Sequence, residues 1–167
     1  ELKEETKKIK GAEGLGKYIS IDSTEIKTYA RGKKEPKETA DPDADWGVKE
    51  KREKRGDGTI YKTIKKWFGY KLHLLVDASY EIPLGYKVTR ASRSDVRQAL
   101  PLLEELEEEH PGLKVEYLLG DKSYDDGKLI KRLWERYGIK GIIELRDMIR
   151  DEDDGKVWEG KKIADNI

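Results

Sequence analysis

Two aspartates, Asp22 and Asp121, are each carried by an apolar run that is typical of a β-strand. The first run covers residues 18–24 and the second covers residues 115–121. A carboxylate in a core strand is costly to bury unless it meets a cation or hydrogen-bond donors. If the two strands lie side by side, both carboxylates reach one point, which is the arrangement that a divalent metal needs. The residue types therefore predict a metal site made by Asp22 and Asp121.

These acids also have purely structural interpretations. Asp22 could accept a hydrogen bond from nearby backbone at a strand edge, and Asp121 could open a turn before Ser123. Other polar residues are expected to be structural: Asp77 in a turn, Asp95 (or Ser94), Asp125 and Asp126 as helix caps, and His73 as a packed or solvent-facing histidine.

Composition limits the classes of protein to consider. The 167 residues hold 35 Lys plus Arg and 35 Asp plus Glu, so the net charge of zero argues neither for nor against nucleic-acid binding. The absence of cysteine excludes disulfides and thiolate metal sites. No apolar run approaches the roughly 18 residues of a membrane helix, and the first residues do not read as a signal peptide. We therefore expect a cytoplasmic protein with a single domain over residues 1–167.

The pattern of apolar residues predicts an α/β alternation. Strands are expected at residues 18–24, 67–77, 82–91, 114–120 and 139–145, and helices at residues 94–109 and 126–137. The charged segment 1–13 is a further helix candidate, and Pro101 should kink the first long helix or mark its start.

This order of elements resembles that of an RNase H-like fold with a mixed five-stranded sheet. The short connection at residues 77–81 favours a hairpin between the second and third strands. The fold has the strand order 3-2-1-4-5, in which the first and fourth strands are parallel neighbours. Asp22 and Asp121 would then face one another at the carboxyl end of the sheet, where open α/β sheets bind ligands.

A long segment of low hydrophobicity, residues 28–66, separates the first two predicted strands and is expected to have little regular structure. Residues 46–71 carry nine Lys or Arg against three Asp or Glu, with Trp46, Tyr61 and Trp67 interleaved. Such a segment can neutralise phosphates and stack on bases, although a solvated loop is the alternative. The predicted DNA-binding residues are Lys49, Lys51, Arg52, Lys54, Arg55, Lys65, Lys66 and Lys122.

Four motifs together resemble the catalytic domain of DDE transposases from bacterial and archaeal insertion sequences. They are Ile21–Thr24, Asp41–Gly47, Phe68–Asp77 and Gly120–Asp125, and the resemblance covers roughly residues 17–145. Each motif is moderately specific, whereas four in this order at sensible spacing are specific together. The resemblance implies an RNase H-like fold, Mg²⁺ or Mn²⁺ as the cofactor and cut-and-paste chemistry on DNA.

The first two catalytic acids of this family match Asp22 and Asp121. The third is a Glu on a later helix, usually within a Tyr, Arg, Glu, Lys signature that this sequence does not contain. The late glutamates that remain are Glu144, Glu152 and Glu159. We therefore expect this chain to lack the final catalytic helix, or to be a degenerate or excised core domain.

The chemistry of the family explains the residue types. Phosphodiester cleavage and strand transfer pass through a crowded, doubly charged state, and two Mg²⁺ ions about 3.5–4 Å apart stabilise the attacking and leaving oxygens. Mg²⁺ prefers carboxylate oxygens and waters. Asp22 is the candidate bridging ligand and Asp121 is the second.

The resemblance thus predicts DNA transposition, with metal-dependent cleavage and transfer of strands at transposon ends. Holding two ends together calls for a homodimer in the active complex. Two alternatives stay open, which are a non-catalytic DNA-binding relic of a transposase and another RNase H-like nuclease.

Overall fold

The computed structural model describes residues 14–30, 40–54, 56–145 and 159–164. Its strands are β1 (Tyr18–Lys27), β2 (Asp45–Lys54), β3 (Ile60–Asp77), β4 (Ile82–Arg90), β5 (Tyr117–Gly120), β6 (Lys140–Ile143) and β7 (Glu159–Ala164). Its helices are α1 (Val96–Glu109) and α2 (Gly127–Tyr137), with a 3-10 turn at Lys122–Tyr124. The helix expected at residues 1–13 lies outside the described residues. Neither α1 nor α2 has the length and apolar character that spanning a bilayer requires.

The chain divides into two compact units according to its internal contacts. Unit 1 comprises Glu1–Ser23, His73–Lys87 and Ser94–Arg146. Unit 2 comprises Thr24–Leu72, Val88–Arg93 and Asp147–Ile167.

Unit 1 contains three parallel strand segments in the order β1-β5-β6. Ile21 of β1 lies opposite Gly120 of β5, and Gly120 in turn lies opposite Ile143 of β6. Ile19, Ile21 and Leu118 are buried, whereas Tyr18 and Asp22 are exposed. Because successive side chains point to opposite faces of a strand, Asp22 stands on the face opposite the apolar core.

Both helices pack into this core. Four buried residues of α1 follow the helical spacing of three or four positions, namely Ala99, Leu102, Leu103 and Leu106. Pro101 lies inside α1, so it does not mark the start of the helix. The Asp126 carboxylate caps α2 by accepting a hydrogen bond from the Leu129 N–H at 2.8 Å. Gly138 ends α2 with a left-handed φ of 66°, as the sequence predicts.

Unit 2 is built on the first part of β3. β2 pairs with it in antiparallel register from Asp45 opposite Gly69 to Lys54 opposite Ile60, and β7 pairs with it in parallel. The expectation that residues 28–66 have little regular structure is therefore wrong for β2 and for the start of β3. The strand β2 escapes a search for apolar alternation because all its residues from Lys49 to Lys54 are charged. Cross-strand ion pairs and the backbone ladder stabilise this ribbon instead.

The predicted fold class is confirmed, since the five expected strands correspond to β1, β3, β4, β5 and β6 of a mixed sheet that is consistent with an RNase H-like fold. The path through the sheet is β2-β3-β1-β5-β6, with β4 and β7 also pairing with β3. It differs from the expected order of five strands by the addition of β2 and β7. Neither addition has an apolar pattern that reveals it in the sequence.

Candidate active site

Asp22 and Asp121 directly follow the last paired residues of β1 and β5, which are Ile21 and Gly120. The two strands are parallel, and neighbouring strands lie about 4.8 Å apart. Both side chains are exposed. The two predicted metal ligands therefore occupy adjacent positions where β5 ends. This is the carboxyl end of the parallel strands, where α/β proteins bind ligands.

Each of these carboxylates also accepts local hydrogen bonds. The Ser23 N–H donates to Asp22 Oδ1 at 2.7 Å. The N–H and hydroxyl of Ser123 donate to Asp121 Oδ1 at 2.9 and 2.5 Å, so Asp121 opens the 3-10 turn. A carboxylate has two oxygens and about four lone-pair sites, so these bonds leave room for a cation. These local hydrogen bonds and the binding of a metal ion are therefore compatible for both aspartates.

Glu144 follows the last paired residue of β6, just as Asp22 and Asp121 follow the paired residues of β1 and β5. It follows Ile143, which lies opposite Gly120, and its N–H donates to the Gly120 carbonyl at 3.1 Å. Of the other late glutamates, Glu152 lies outside the described residues, and only the backbone of Glu159 is described, in β7. Within the described ranges, no three His, Cys, Asp or Glu side chains are grouped so that they could hold a metal ion.

The carboxylate oxygens at this end of the strands suit a hard cation such as Mg²⁺. Asp22 and Asp121 supply carboxylate oxygens from adjacent strands, and Mg²⁺ accepts one or two carboxylates together with several waters. The residues present therefore fit a cation that keeps much of its hydration.

Tyr124 follows Asp121 by three positions, and sequence reasoning assigns no role to its hydroxyl. Its side chain is 0% exposed, and its hydroxyl has no hydrogen-bond partner among the described residues. Burial raises the pKa of Tyr124, and the negative charges of Asp95, Asp22 and Asp121 raise it further. The available signal was its place in the Gly120–Asp125 motif.

Asp95 does not act as the helix cap that the sequence predicts. It occupies the N-cap position of α1, but its side chain makes no capping hydrogen bond. Its backbone is helical, with φ −64° and ψ −46°, whereas a capping side chain needs an extended N-cap residue. Asp95 Oδ1 instead lies 3.8 Å from Nδ1 of His73, which is 0% exposed. Of the two predicted alternatives for His73, the packed histidine is confirmed.

Asp77 has the turn role that the sequence predicts. Its carboxylate is 0% exposed and accepts hydrogen bonds from the backbone N–H groups of Ser79 and Tyr80, each at 2.8 Å, and of Gly16. Three donors satisfy the buried charge, so this aspartate is explained without a metal. Asp125 is the C-cap of the 3-10 turn, and its N–H donates to the Lys122 carbonyl at 3.4 Å.

The antiparallel pair of β2 with the first part of β3, which we call the basic ribbon, carries most of the predicted DNA-binding residues. Lys49 lies opposite Lys65, and Val48 lies opposite Lys66. Since directly opposite residues share a face, Lys49 and Lys65 lie on one face and Lys66 lies on the other. Neither Lys49 nor Lys66 has an ion-pair partner in the part of the chain that the structure describes.

Other cations of the basic ribbon already contact acids within unit 2. Arg52 and Lys62 each lie 2.8 Å from a Glu50 carboxylate oxygen. Lys65 pairs with Glu25. These ion pairs are partly exposed to solvent, so each contributes modestly to stability.

The remaining predicted DNA-binding residues are described in part. Lys122 is exposed and directly follows Asp121 in unit 1. Lys51 and Lys54 lie in β2, but their side chains are outside the described part, as is Arg55 entirely.

The acids of the second motif, Asp41–Gly47, form hydrogen bonds and an ion pair with other segments of unit 2. Asp41 Oδ1 accepts a hydrogen bond from the Tyr70 hydroxyl at 2.6 Å, and this bond is the main reason that the pKa of Tyr70 rises to about 12. Asp43 pairs with Arg90 at 3.0 Å. Asp45 accepts hydrogen bonds from Ser92. The motif therefore has a structural explanation within this unit.

The comparison with protein families agrees with the arrangement of these residues. The family description "transposase DDE domain" matches residues 14–167. No curated protein matches the chain. The family match spans far more than half of the sequence, so the chain belongs to the family of transposase DDE domains.

Proposed function

We propose that this domain cleaves and transfers DNA strands at transposon ends with the help of divalent metal ions bound by Asp22 and Asp121. Membership of the transposase family gives the chain a role in transposition. The observation that carries the finer proposal is the adjacent placement of Asp22 and Asp121 after the paired residues Ile21 and Gly120.

In this proposal the chain's own residues bind and orient the reacting groups. When bound, Mg²⁺ or Mn²⁺ would stabilise the charge that develops on the attacking and leaving oxygens. Asp22 would act as the bridging carboxylate and Asp121 as the second ligand. The bonds from Ser123 fix the orientation of the Asp121 carboxylate before any ligand arrives.

The basic ribbon supports the choice of DNA as the substrate. Lys49 and Lys66 have no acidic partner among the described residues, so within that part of the chain no ion pair competes with a phosphate. Phosphate contacts of this kind position a protein on DNA and supply sequence-independent affinity. Two copies of the chain, one on each transposon end, would complete the assembly.

Calorimetric titration with Mn²⁺ tests the metal site directly. We expect Asp22→Asn and Asp121→Asn each to weaken Mn²⁺ binding by at least about tenfold, which corresponds to about 1.4 kcal/mol. Glu108→Gln, an exposed acid on α1, is the matched control and should bind like the wild type. Wild-type affinity in either aspartate variant would refute the assignment.

A non-catalytic relic is the second candidate, because the described residues contain no group of three metal-binding side chains. A relic would bind DNA without needing Mn²⁺ and would neither cut nor join it. Incubation of the chain with a labelled duplex and Mn²⁺ separates the possibilities, since joined products indicate a transposase and cut but unjoined products indicate another nuclease.

A further inference from the structure

We propose that the outer edge of β6 pairs in antiparallel with β6 of a second copy of this chain, so that the two copies form a symmetric dimer with one continuous sheet. The two-fold axis passes beside Ile142, at the centre of the paired segment. The inference goes beyond the proposed function, because it names the surface through which two copies associate and does not depend on the metal site.

The strand β6 is the last strand on its side of the sheet. Among the residues that the structure describes, β5 is the only strand that pairs with it. The N–H groups of Lys140 and Glu144 donate to carbonyl groups at the two ends of β5, at 2.9 and 3.1 Å. Since backbone groups alternate between the two sides of a strand, the N–H and C=O groups of Gly141 and Ile143 point away from β5. Such a row of outward backbone groups is a template for another strand.

A self-pairing centred on Ile142 uses these outward groups. In that register Gly141 of one copy lies opposite Ile143 of the other, and the two residues exchange both of their backbone hydrogen bonds. The symmetry repeats this exchange on the other side of the centre. Ile142 lies opposite its own symmetry mate at a non-hydrogen-bonded position, where side chains are closest. The backbone of β6 is thus complementary to itself.

The side chains of this edge are complementary in the same register. Ile142 is 53% exposed, so pairing removes apolar surface from water. Lys140 of one copy lies opposite Glu144 of the other, and opposite charges at such positions stabilise paired strands. Within its own chain Lys140 lies over the Tyr117 ring, 5.6 Å from the centroid, and its side chain is exposed. Centring the pairing on Lys140 or on Glu144 instead would place like charges opposite one another, so the charges favour the register centred on Ile142.

This mode of association leaves both candidate active sites open. Pairing at an edge extends a sheet sideways and does not cover its faces. Asp121 follows β5, which lies one strand inward from the paired edge. Each copy therefore keeps its own two-aspartate site accessible, as an assembly of two copies on two DNA ends requires.

Cysteine cross-linking tests the register, because the chain contains no cysteine of its own. Ile142→Cys places two thiols opposite each other at a Cα separation of about 4.5 Å, which a disulfide can span. We expect this variant to form a covalent dimer under mild oxidation. Leu145→Cys is the matched control, because Leu145 is more exposed, at 75%, yet its two copies lie about 20 Å apart in this register. Equal cross-linking of the two variants, or none in Ile142→Cys, would overturn the proposal.

Reversal and exchange of charges test the ion pairs. Lys140→Glu and Glu144→Lys should each weaken dimer formation by about tenfold, because each places like charges at both ends of the pairing. The double variant exchanges the two charges and should dimerise like the wild type. Sedimentation velocity over a series of protein concentrations measures the dissociation constants. A wild type that stays monomeric, or a double variant as weak as the single ones, would refute the interface.

These measurements are made without metal ions, so they are independent of the proposed metal site. If the dimer forms as expected while Asp22→Asn and Asp121→Asn bind Mn²⁺ normally, only the proposed metal site fails. If those two variants lose Mn²⁺ binding while Ile142→Cys does not cross-link, only the dimer interface fails.

Discussion

Asp121 illustrates how one carboxylate can serve both structure and chemistry. Its Oδ1 accepts two hydrogen bonds from Ser123, which begin the 3-10 turn that carries Tyr124. The turn therefore fixes the acid and brings the tyrosine into the core with the same few residues. A substitution at Asp121 should be made with asparagine, because its side-chain oxygen can still accept the hydrogen bonds of the turn.

The sequence shows which acids could bind metal but not how their side chains are oriented. Asp22 and Asp121 stand out because each closes an apolar run. Asp95 precedes a helix and therefore reads as a cap, and only its backbone angles reveal that it does not cap. Tyr124 reads as an ordinary core residue, and its unpaired hydroxyl is not visible in the sequence because burial depends on contacts between distant segments.

The Tyr70 hydroxyl bonded to Asp41 predicts a loss of stability in alkali. The pKa of Tyr70 rises from its ordinary value of 10.0 to about 12 in the folded chain. This group therefore contributes its full stabilisation below pH 10, and the contribution is lost as the pH rises toward 12. Urea unfolding at pH 9 and pH 11 should show a larger decrease for the wild type than for Tyr70→Phe. Equal decreases in the two proteins would contradict the prediction.

Gly69 is the glycine of β3, and its backbone leaves no room for a Cβ atom. Its φ is 148°, and a Cβ there would approach the Ile26 carbonyl oxygen to 2.2 Å. We expect Gly69→Ala to lower the free energy of unfolding by about 1–3 kcal/mol. Gly56→Ala is the control, because a Cβ at Gly56 meets nothing within 4 Å. Denaturant titration of both variants is the measurement, and comparable midpoints would show that the backbone adjusts freely.

The basic ribbon is an element that apolar periodicity does not predict. Every residue of β2 from Lys49 to Lys54 is Lys, Glu or Arg, and Glu50 links Arg52 with Lys62 across the ribbon. Hydrophobic patterning identifies strands that pack on a core. It gives no signal for strands whose pairing depends on backbone bonds and opposite charges.

The pairing of the ribbon cations predicts which of them matter most for DNA. Lys49→Gln and Lys66→Gln should each lower the affinity for duplex DNA and reduce the slope of log K against log salt by about 1. Lys62→Gln should have a smaller effect, because Lys62 already contacts Glu50 at 2.8 Å. Fluorescence anisotropy over a series of salt concentrations measures the slopes. A wild-type slope in Lys49→Gln and Lys66→Gln would exclude the ribbon from the DNA interface.

For the whole molecule, the α/β order and the fold class could be predicted, whereas the complete sheet could not. β1, β3, β4, β5 and β6 have the apolar runs that sequence reading detects. β7 is a short, mostly polar strand that pairs with β3 although the two are far apart in the chain. Such a pairing depends on the rest of the fold rather than on the strand's own residues.

Metal binding should also be visible in the stability of the entire chain. A ligand that binds only the folded state stabilises it by RT ln(1 + [L]/Kd), or about 1.4 kcal/mol at ten times Kd. Mn²⁺ at that concentration should raise the melting temperature of the wild type and leave that of Asp22→Asn nearly unchanged. Differential scanning calorimetry with matched ionic strength checks this, and equal shifts in the two proteins would mean that Mn²⁺ binds elsewhere.

The parallel pairing of β1 with β5 has a consequence for the timing of protein synthesis. About a hundred residues separate Asp22 from Asp121, and chains grow at about 5–20 residues per second. The strand β5, which pairs with β1, is therefore synthesised roughly 5–20 seconds after Asp22. Throughout that interval the growing polypeptide lacks the second carboxylate, so the proposed metal site can form only after β5 has been synthesised.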